Sequence, residues 1–234
     1  MNLMRKAAFA AIALTAATAF AGPNMFYGAG FGFSQNNSAI NSTKITVSSG
    51  DATGAKSYLA TGGEALQGFG FVGVSGSLSD MISGSVQADL GFDGLSKDVR
   101  TAAVTTDGAV NLNLQSGLYY GASARLSVIR GDFAPYLLAG IRAGQWSATY
   151  TNTAPNIVES MPVGLVHTKS KTMVSPELGV GINFTYSDAM DGRMEYKYMF
   201  GSTASTSIAH PTDGTAMNNS LSARQQSVQF SLVF

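Results

Sequence analysis

Residues 223–234 alternate with a period of two. Val228, Phe230, Leu232 and Phe234 form an apolar row, and Gln225, Ser227, Gln229 and Ser231 form a polar row that ends in Val233. That period marks a strand with one greasy face and one mostly polar face. The stretch stops on an aromatic residue, and its greasy face needs a cover. A membrane β-barrel supplies one, because lipid covers the outside while water or packed polar side chains fill the inside.

Seven more segments carry the same signal, at about residues 25–35, 66–77, 81–92, 113–129, 134–150, 172–186 and 193–201. In the first, Tyr27, Ala29, Phe31 and Phe33 oppose Gly28, Gly30 and Gly32. In the third, Ile82, Val86, Leu90 and Phe92 oppose Ser85, Gln87 and Asp89. In the second, Gly-Phe-Gly-Phe-Val-Gly-Val leaves the faces ambiguous. Each segment is near or above the ~9–11 residues that a tilted strand needs to span a bilayer. The connections alternate. Residues 36–65, 93–112, 151–171 and 202–222 are long and rich in Ser, Thr, Asn, Gly and Ala, whereas 78–80, 130–133 and 187–192 are short. The expected fold is all-β, an eight-stranded antiparallel up-and-down transmembrane barrel with short periplasmic turns and four long extracellular loops.

The start of the chain agrees with export. Arg5 and Lys6 precede a small, apolar run over residues 7–20, and Ala19-Phe20-Ala21 has a small-x-small form. This predicts a signal peptide over residues 1–21, leaving a barrel domain over 22–234. No later stretch approaches the ~20 apolar residues of a spanning helix. Charged residues are 12% of the chain, against the usual ~25%. The 14 basic and 14 acidic residues balance, so nucleic acid is not an expected partner. There is no Cys, and hence no disulfide, thiolate or Cys-ligated metal.

The order of segments, Ala134–Ile141 (Ala-Pro-Tyr-Leu-Leu-Ala-Gly-Ile), Glu177–Phe184 (Glu-Leu-Gly-Val-Gly-Ile-Asn-Phe), Met194-Glu195-Tyr196-Lys197-Tyr198 and the final Phe234 resemble the eight-stranded outer membrane barrels. That group includes the transmembrane domain of outer membrane protein A and the opacity-type surface antigens. The resemblance implies location in the cell outer membrane and contact with its lipids. It also implies that Phe234 belongs to the signal read by the barrel-assembly machinery. The superfamily holds adhesins, anchors, small pores and a few lipid-modifying enzymes, so it is specific for architecture and weak for function. Outer membrane protein A continues into a peptidoglycan-binding domain, and wall anchoring by that route is not expected here.

Asp89, Arg125, Arg142, Glu177, Glu195 and Lys197 fall on the polar faces of strands three to seven. Arg or Lys on the lipid face costs roughly 2–4 kcal/mol at the midplane, so these residues are expected inside as a lumen charge network. An eight-stranded barrel is barely wide enough for its own side chains. A packed plug is therefore expected; the sharper possibility is a gate in which Arg142–Glu177 or Arg125–Glu195 exchanges partners. Gly28, Gly30, Gly32, Gly140, Gly144, Gly179 and Gly181 share those faces and would leave room for large side chains.

The remaining motifs are weaker. Gly68-x-Gly70-x-x-Gly73 has the letters of a dinucleotide fingerprint but no helix to follow it. Arg130-Gly131-Asp132 falls in a short turn on the periplasmic side. His167 and His210 fall in long loops. Either could serve a lipid-modifying enzyme, His167 with Ser170 or Glu159 and His210 with Ser207 or Asp213, although the His-x-Ser of lipid A deacylase barrels is absent. Tyr27, Phe33, Tyr119, Tyr120, Tyr136, Trp146, Tyr150, Tyr186, Tyr198, Phe200 and Phe234 suit interfacial girdles, and Trp146 could stack on carbohydrate. No catalytic, cofactor-binding or metal-binding residue is assigned. The expected function is a non-enzymatic outer membrane scaffold that presents its loops for envelope integrity, adhesion or contact with a host-surface ligand. A narrow pore for small solutes is the alternative, and a lipid-modifying enzyme comes third.

Overall fold

The computed structural model describes residues 21–46, 57–105, 108–152, 166–187, 189–209 and 216–234. Nine strand segments follow one another: β1 (Ala21–Thr46), β2 (Ser57–Ser79), β3 (Ile82–Asp93), β4 (Ser96–Thr105), β5 (Gly108–Val128), β6 (Phe133–Asn152), β7 (Val166–Ser187), β8 (Met190–Ala209) and β9 (Ala216–Val233). β3 and β4 are successive halves of one stave, interrupted at Gly94 and Leu95, and both pair with β5. Each stave is antiparallel to its neighbours, and β1 pairs with β9 from Gly28↔Val233 to Thr46↔Ala216. The ring therefore closes as eight staves.

The two ends of the described chain meet at one end of the ring. Tyr27 N–H donates to the Phe234 carbonyl at 3.0 Å, and Phe234 N–H donates to Tyr27 at 2.8 Å. Their rings stack with centroids 5.9 Å apart. The short turns lie at this same end. The one after β5 has Gly131 at φ 58°, a left-handed conformation that suits a residue without a Cβ.

Alternation sorts the side chains. Outward on β1, Met25, Tyr27, Phe31 and Phe33 are exposed, while Phe26, Gly32, Ser34 and Asn36 turn inward and are buried. β2 has Gln67, Phe69 and Phe71 buried and Leu66 and Val72 exposed, which resolves the ambiguous segment. The core is thus the lumen. Phe26, Phe69, Phe71, Tyr119 and Val233 form one apolar cluster. Leu95, Leu114, Trp146, Ala148, Met173 and Ala223 form a second, farther from the termini.

The strands run well past the sequence boundaries. β1 continues to Thr46, eleven residues beyond the alternating segment that ends at Gln35. Each long connection thus continues its two strands into a β-hairpin that projects beyond the apolar belt; residues 47–56, 106–107, 153–165 and 210–215 lie outside the described residues. The β2–β3 ladder ends at Gln67↔Asp93, with one more bond from Gly94 N–H to the Leu66 carbonyl. Beyond it, among the described residues, no ladder joins β4 to β2.

The inward glycines test this packing. A Cβ at Gly179 would lie 2.5 Å from the Tyr196 carbonyl oxygen, and that backbone cannot give way. Gly179→Val is expected to lose about 1–3 kcal/mol or more, read from urea unfolding in micelles. Gly68→Ala, where an added Cβ meets nothing within 4 Å, is expected to leave the midpoint nearly unchanged.

Candidate functional site

Among the described residues, the lumen gathers eight buried ionisable side chains of opposite sign: Asp89, Asp93, Glu177 and Glu195 against Arg125, Arg142, Arg193 and Lys197. Their formal charges cancel. Asp89 comes from β3, Arg125 from β5, Arg142 from β6, Glu177 from β7, and Glu195 and Lys197 from β8.

Glu195 is the hub nearer the termini. Arg125 reaches its Oε1 through Nη2 at 2.7 Å and through Nε at 2.9 Å, and the Tyr136 hydroxyl donates to the same oxygen at 2.8 Å. Lys197 Nζ approaches Oε2 at 3.1 Å. Both carboxylate oxygens are therefore held, which a buried charge requires. Arg193 lies toward the termini. It donates to Gln87 at 2.8 Å and Asn183 at 3.0 Å, and its guanidinium faces the rings of Phe71 at 5.0 Å and Phe26 at 5.6 Å. Aromatic faces and amide oxygens hold this cation without a carboxylate within 4 Å among the described residues.

A second cluster lies toward the projecting hairpins. Arg142 packs over the Tyr119 ring at 4.1 Å, approaches Glu177 at 3.4 Å and donates to Gln225 at 3.1 Å. Gln225 donates to Asp93, and Gln67 donates to the same oxygen at 3.2 Å. Gln229 in turn donates to Gln67 at 3.0 Å. Asp93 also accepts the Leu95 backbone N–H at 3.3 Å, so it bends the chain where β3 gives way to β4. Asp89 Oδ1 has no hydrogen-bond partner between the two clusters.

Sequence reasoning missed Arg193 and Asp93. Asp93 fell one residue past the assigned strand end, and Arg193 stood at a strand start where alternation had no length to show itself. Three aromatic assignments are corrected. Tyr119, Tyr136 and Trp146 are buried in the lumen and are no part of an outer girdle. The Tyr119 and Tyr136 rings lie over their ladder partners Gly91 and Gly181, and the Trp146 indole lies beside Gly144 two residues back on its own strand. Burial in the apolar cluster also leaves Trp146 no face for a sugar.

His167 is likewise corrected: it lies within β7, opposite Tyr150 in the β6 ladder, and not in a loop. His210 and Asp213 lie outside the described residues, as does Glu159. Among the described residues no cluster of three His, Asp or Glu could hold a metal ion. Arg130, Gly131 and Asp132 are exposed in the β5–β6 turn at the end that carries the termini.

A cavity of about 10 Å³ lies beside Arg142, Asp93, Tyr119 and Trp146, roughly the ~10–15 Å³ that one water molecule needs. Among the described residues, the charges around this cavity are held by side chains of the opposite wall and of neighbouring strands.

No protein-family model and no curated protein sequence matches the chain. Among solved structures it is similar to the outer membrane protein OprG from Pseudomonas aeruginosa, at 14% identity and a TM-score of 0.49, over 92% of this chain and 97% of that one. It is also similar to Neisserial surface protein A, at 14% identity and a TM-score of 0.34, over 89% and 98%. Similarity extends to Ail, the attachment invasion locus protein of Yersinia pestis, at 9% identity and a TM-score of 0.34, over 88% and 97%.

Removing the hub carboxylate leaves Arg125 and Lys197 buried without their partner. Glu195→Ala is expected to cost about 3–5 kcal/mol, read as a lower urea midpoint in micelles. Glu64→Ala, on the outer wall, is expected to shift the same midpoint by less than about 0.5 kcal/mol.

Proposed function

We propose that the protein is a non-enzymatic outer membrane barrel whose lumen is a structural plug and whose working surface is the four hairpins that project from the bilayer. The observation that carries this reading is the contrast between the two parts. The lumen is filled by paired charges and two apolar clusters. The staves nevertheless continue far past their apolar belts. On β1 the outward apolar row stops at Phe33 and the strand goes on to Thr46. At a rise of roughly 3.4 Å per residue, that extra length exceeds anything needed to cross hydrocarbon.

The projecting faces are rich in hydroxyls. Ser147 pairs with Ser170 at 2.7 Å and Thr149 with Thr168 at 3.0 Å, side by side on β6 and β7. A rigid hydrated hairpin of this kind suits contact with another surface, such as a host or neighbouring cell, or with the envelope's own glycans. Asp89, Arg125, Arg142, Glu177, Glu195 and Lys197 act here as the plug. Phe234, clasped to Tyr27, is the terminal aromatic that the barrel-assembly machinery reads.

Two measurements test this. Purified protein in a planar bilayer is expected to give no steady conductance; large, lasting channels would replace the scaffold reading with the narrow pore. Shortening β1–β2 beyond Asn37 and Gly62, and β8–β9 beyond Thr203 and Ser222, is expected to keep the barrel heat-modifiable on gels while abolishing adhesion of cells that display it. Unchanged adhesion would remove the hairpins from the function.

A further inference from the structure

The outer wall carries a groove that the plug and hairpins do not explain. Its volume is about 660 Å³, and it crosses β2, β1, β9 and β8 at the upper edge of the apolar belt. Phe33, Leu66 and Val228 form its floor, one row of ladder partners. The next row outward supplies Glu64, Gln35 and Gln226, also ladder partners. The Tyr196 hydroxyl donates to Gln226 across the groove at 3.0 Å.

Below the floor, the outward row of β2 continues through Gly68 and Gly70. These differ from the inward glycines. A Cβ at Gly28, Gly30, Gly73 or Gly181 would strike a ring or a carbonyl, whereas one at Gly68 meets nothing within 4 Å and one at Gly70 meets only a carbonyl at 3.7 Å. Nothing inside the protein requires glycine at these two positions. Strand-interior glycine weakens a strand, and it marks places where a ligand comes close. The flanking residues make them a trough. Gly68 lies between Phe31 and Phe92, and Gly70 between Ala29 and Leu90. From Leu66 to Gly70 the trough runs about 13 Å along the strand at the usual rise, the length of a medium acyl segment.

We propose that this groove and trough bind one acylated amino-sugar glycolipid of the outer leaflet, with an acyl chain along Gly68 and Gly70 and the sugar against the polar row. The row holds a carboxylate, two carboxamides and a phenol, and no lining residue is cationic. Sugar hydroxyls and amides satisfy such groups, whereas a phosphate placed directly on them would face Glu64 without compensation. Arg224 stands one pleat farther out, opposite Asn37, where a phosphate at the outer part of the head would lie. The groove lies at the hairpin edge of the apolar belt, and, resting on the proposed reading that the hairpins project from the cell, the leaflet it meets is the outer one.

Native mass spectrometry of the detergent-extracted full-length protein, titrated with purified lipid A or with phosphatidylethanolamine, tests the site. The wild type is expected to retain lipid A in preference. Gly68→Leu with Gly70→Leu fills the trough and is expected to lower that retention about tenfold. Gln35→Ala with Glu64→Gln is expected to abolish the preference between the two lipids. Equal retention of lipid A by the wild type and the trough variant, or equal binding of both lipids by the wild type, overturns the assignment. Should the trough variant lack the compact band of unboiled protein, the wild-type preference and its loss in the polar-row variant decide the matter.

Discussion

In hydrocarbon no backbone N–H or carbonyl can be left without a partner, and that requirement organises the whole molecule. The β1–β9 ladder meets it by joining the two ends of the sheet. Without that ladder, two strand edges would face lipid, each unsatisfied group costing several kcal/mol. The paired bonds between Tyr27 and Phe234 extend the closure to the last residue. Relief from the same requirement explains the seam between β2 and β4. It opens only past Leu66 and Phe92, two exposed apolar residues at the edge of the belt, where water can bond to both edges.

Closing the ring creates an interior that must be filled, and the chain fills it in layers. Rings of Phe26, Phe69 and Phe71 lie nearest the termini, charge clusters occupy the middle, and Trp146 with Met173 and Leu114 lies toward the hairpins. Four carboxylates against four cations keep the interior neutral, so the barrel avoids the field that unbalanced buried charge would create. The inward glycines belong to the same solution. An aromatic ring lies flat against the inner wall only where its ladder partner is bare, as Tyr119 does over Gly91 and Tyr136 over Gly181. The outward glycines of β2 have no such duty, which is why they point to something outside the protein.

Much of this was legible in the chain because the two environments differ so strongly. Where lipid meets one face and packed polar groups meet the other, side chains alternate and the eye follows them, as in β3, β7 and β9. Legibility failed where the two faces were alike. β2 places Phe69 and Phe71 inside and Val72 outside, so both rows are apolar and the period disappears. Beyond the bilayer both faces of a hairpin are wet, so Ser, Thr and Asn alternate with their own kind and a strand reads as a loop. The row Leu118, Tyr120, Ala122 put Tyr120 outward, yet Tyr119 beside it was grouped with the girdle because residue type alone does not separate a lumen ring from an interfacial one.

The sequence by itself determined the number of staves and the direction in which most of them face. Those properties depend on residue spacing along one strand, which the pleat converts directly into sidedness. Only the tertiary structure decided which charges meet, how far the strands run into water, and where glycines on one stave open a trough beside aromatics on the next. Such properties depend on register between strands far apart in sequence, set by ladder pairing and barrel closure, and no single strand records them.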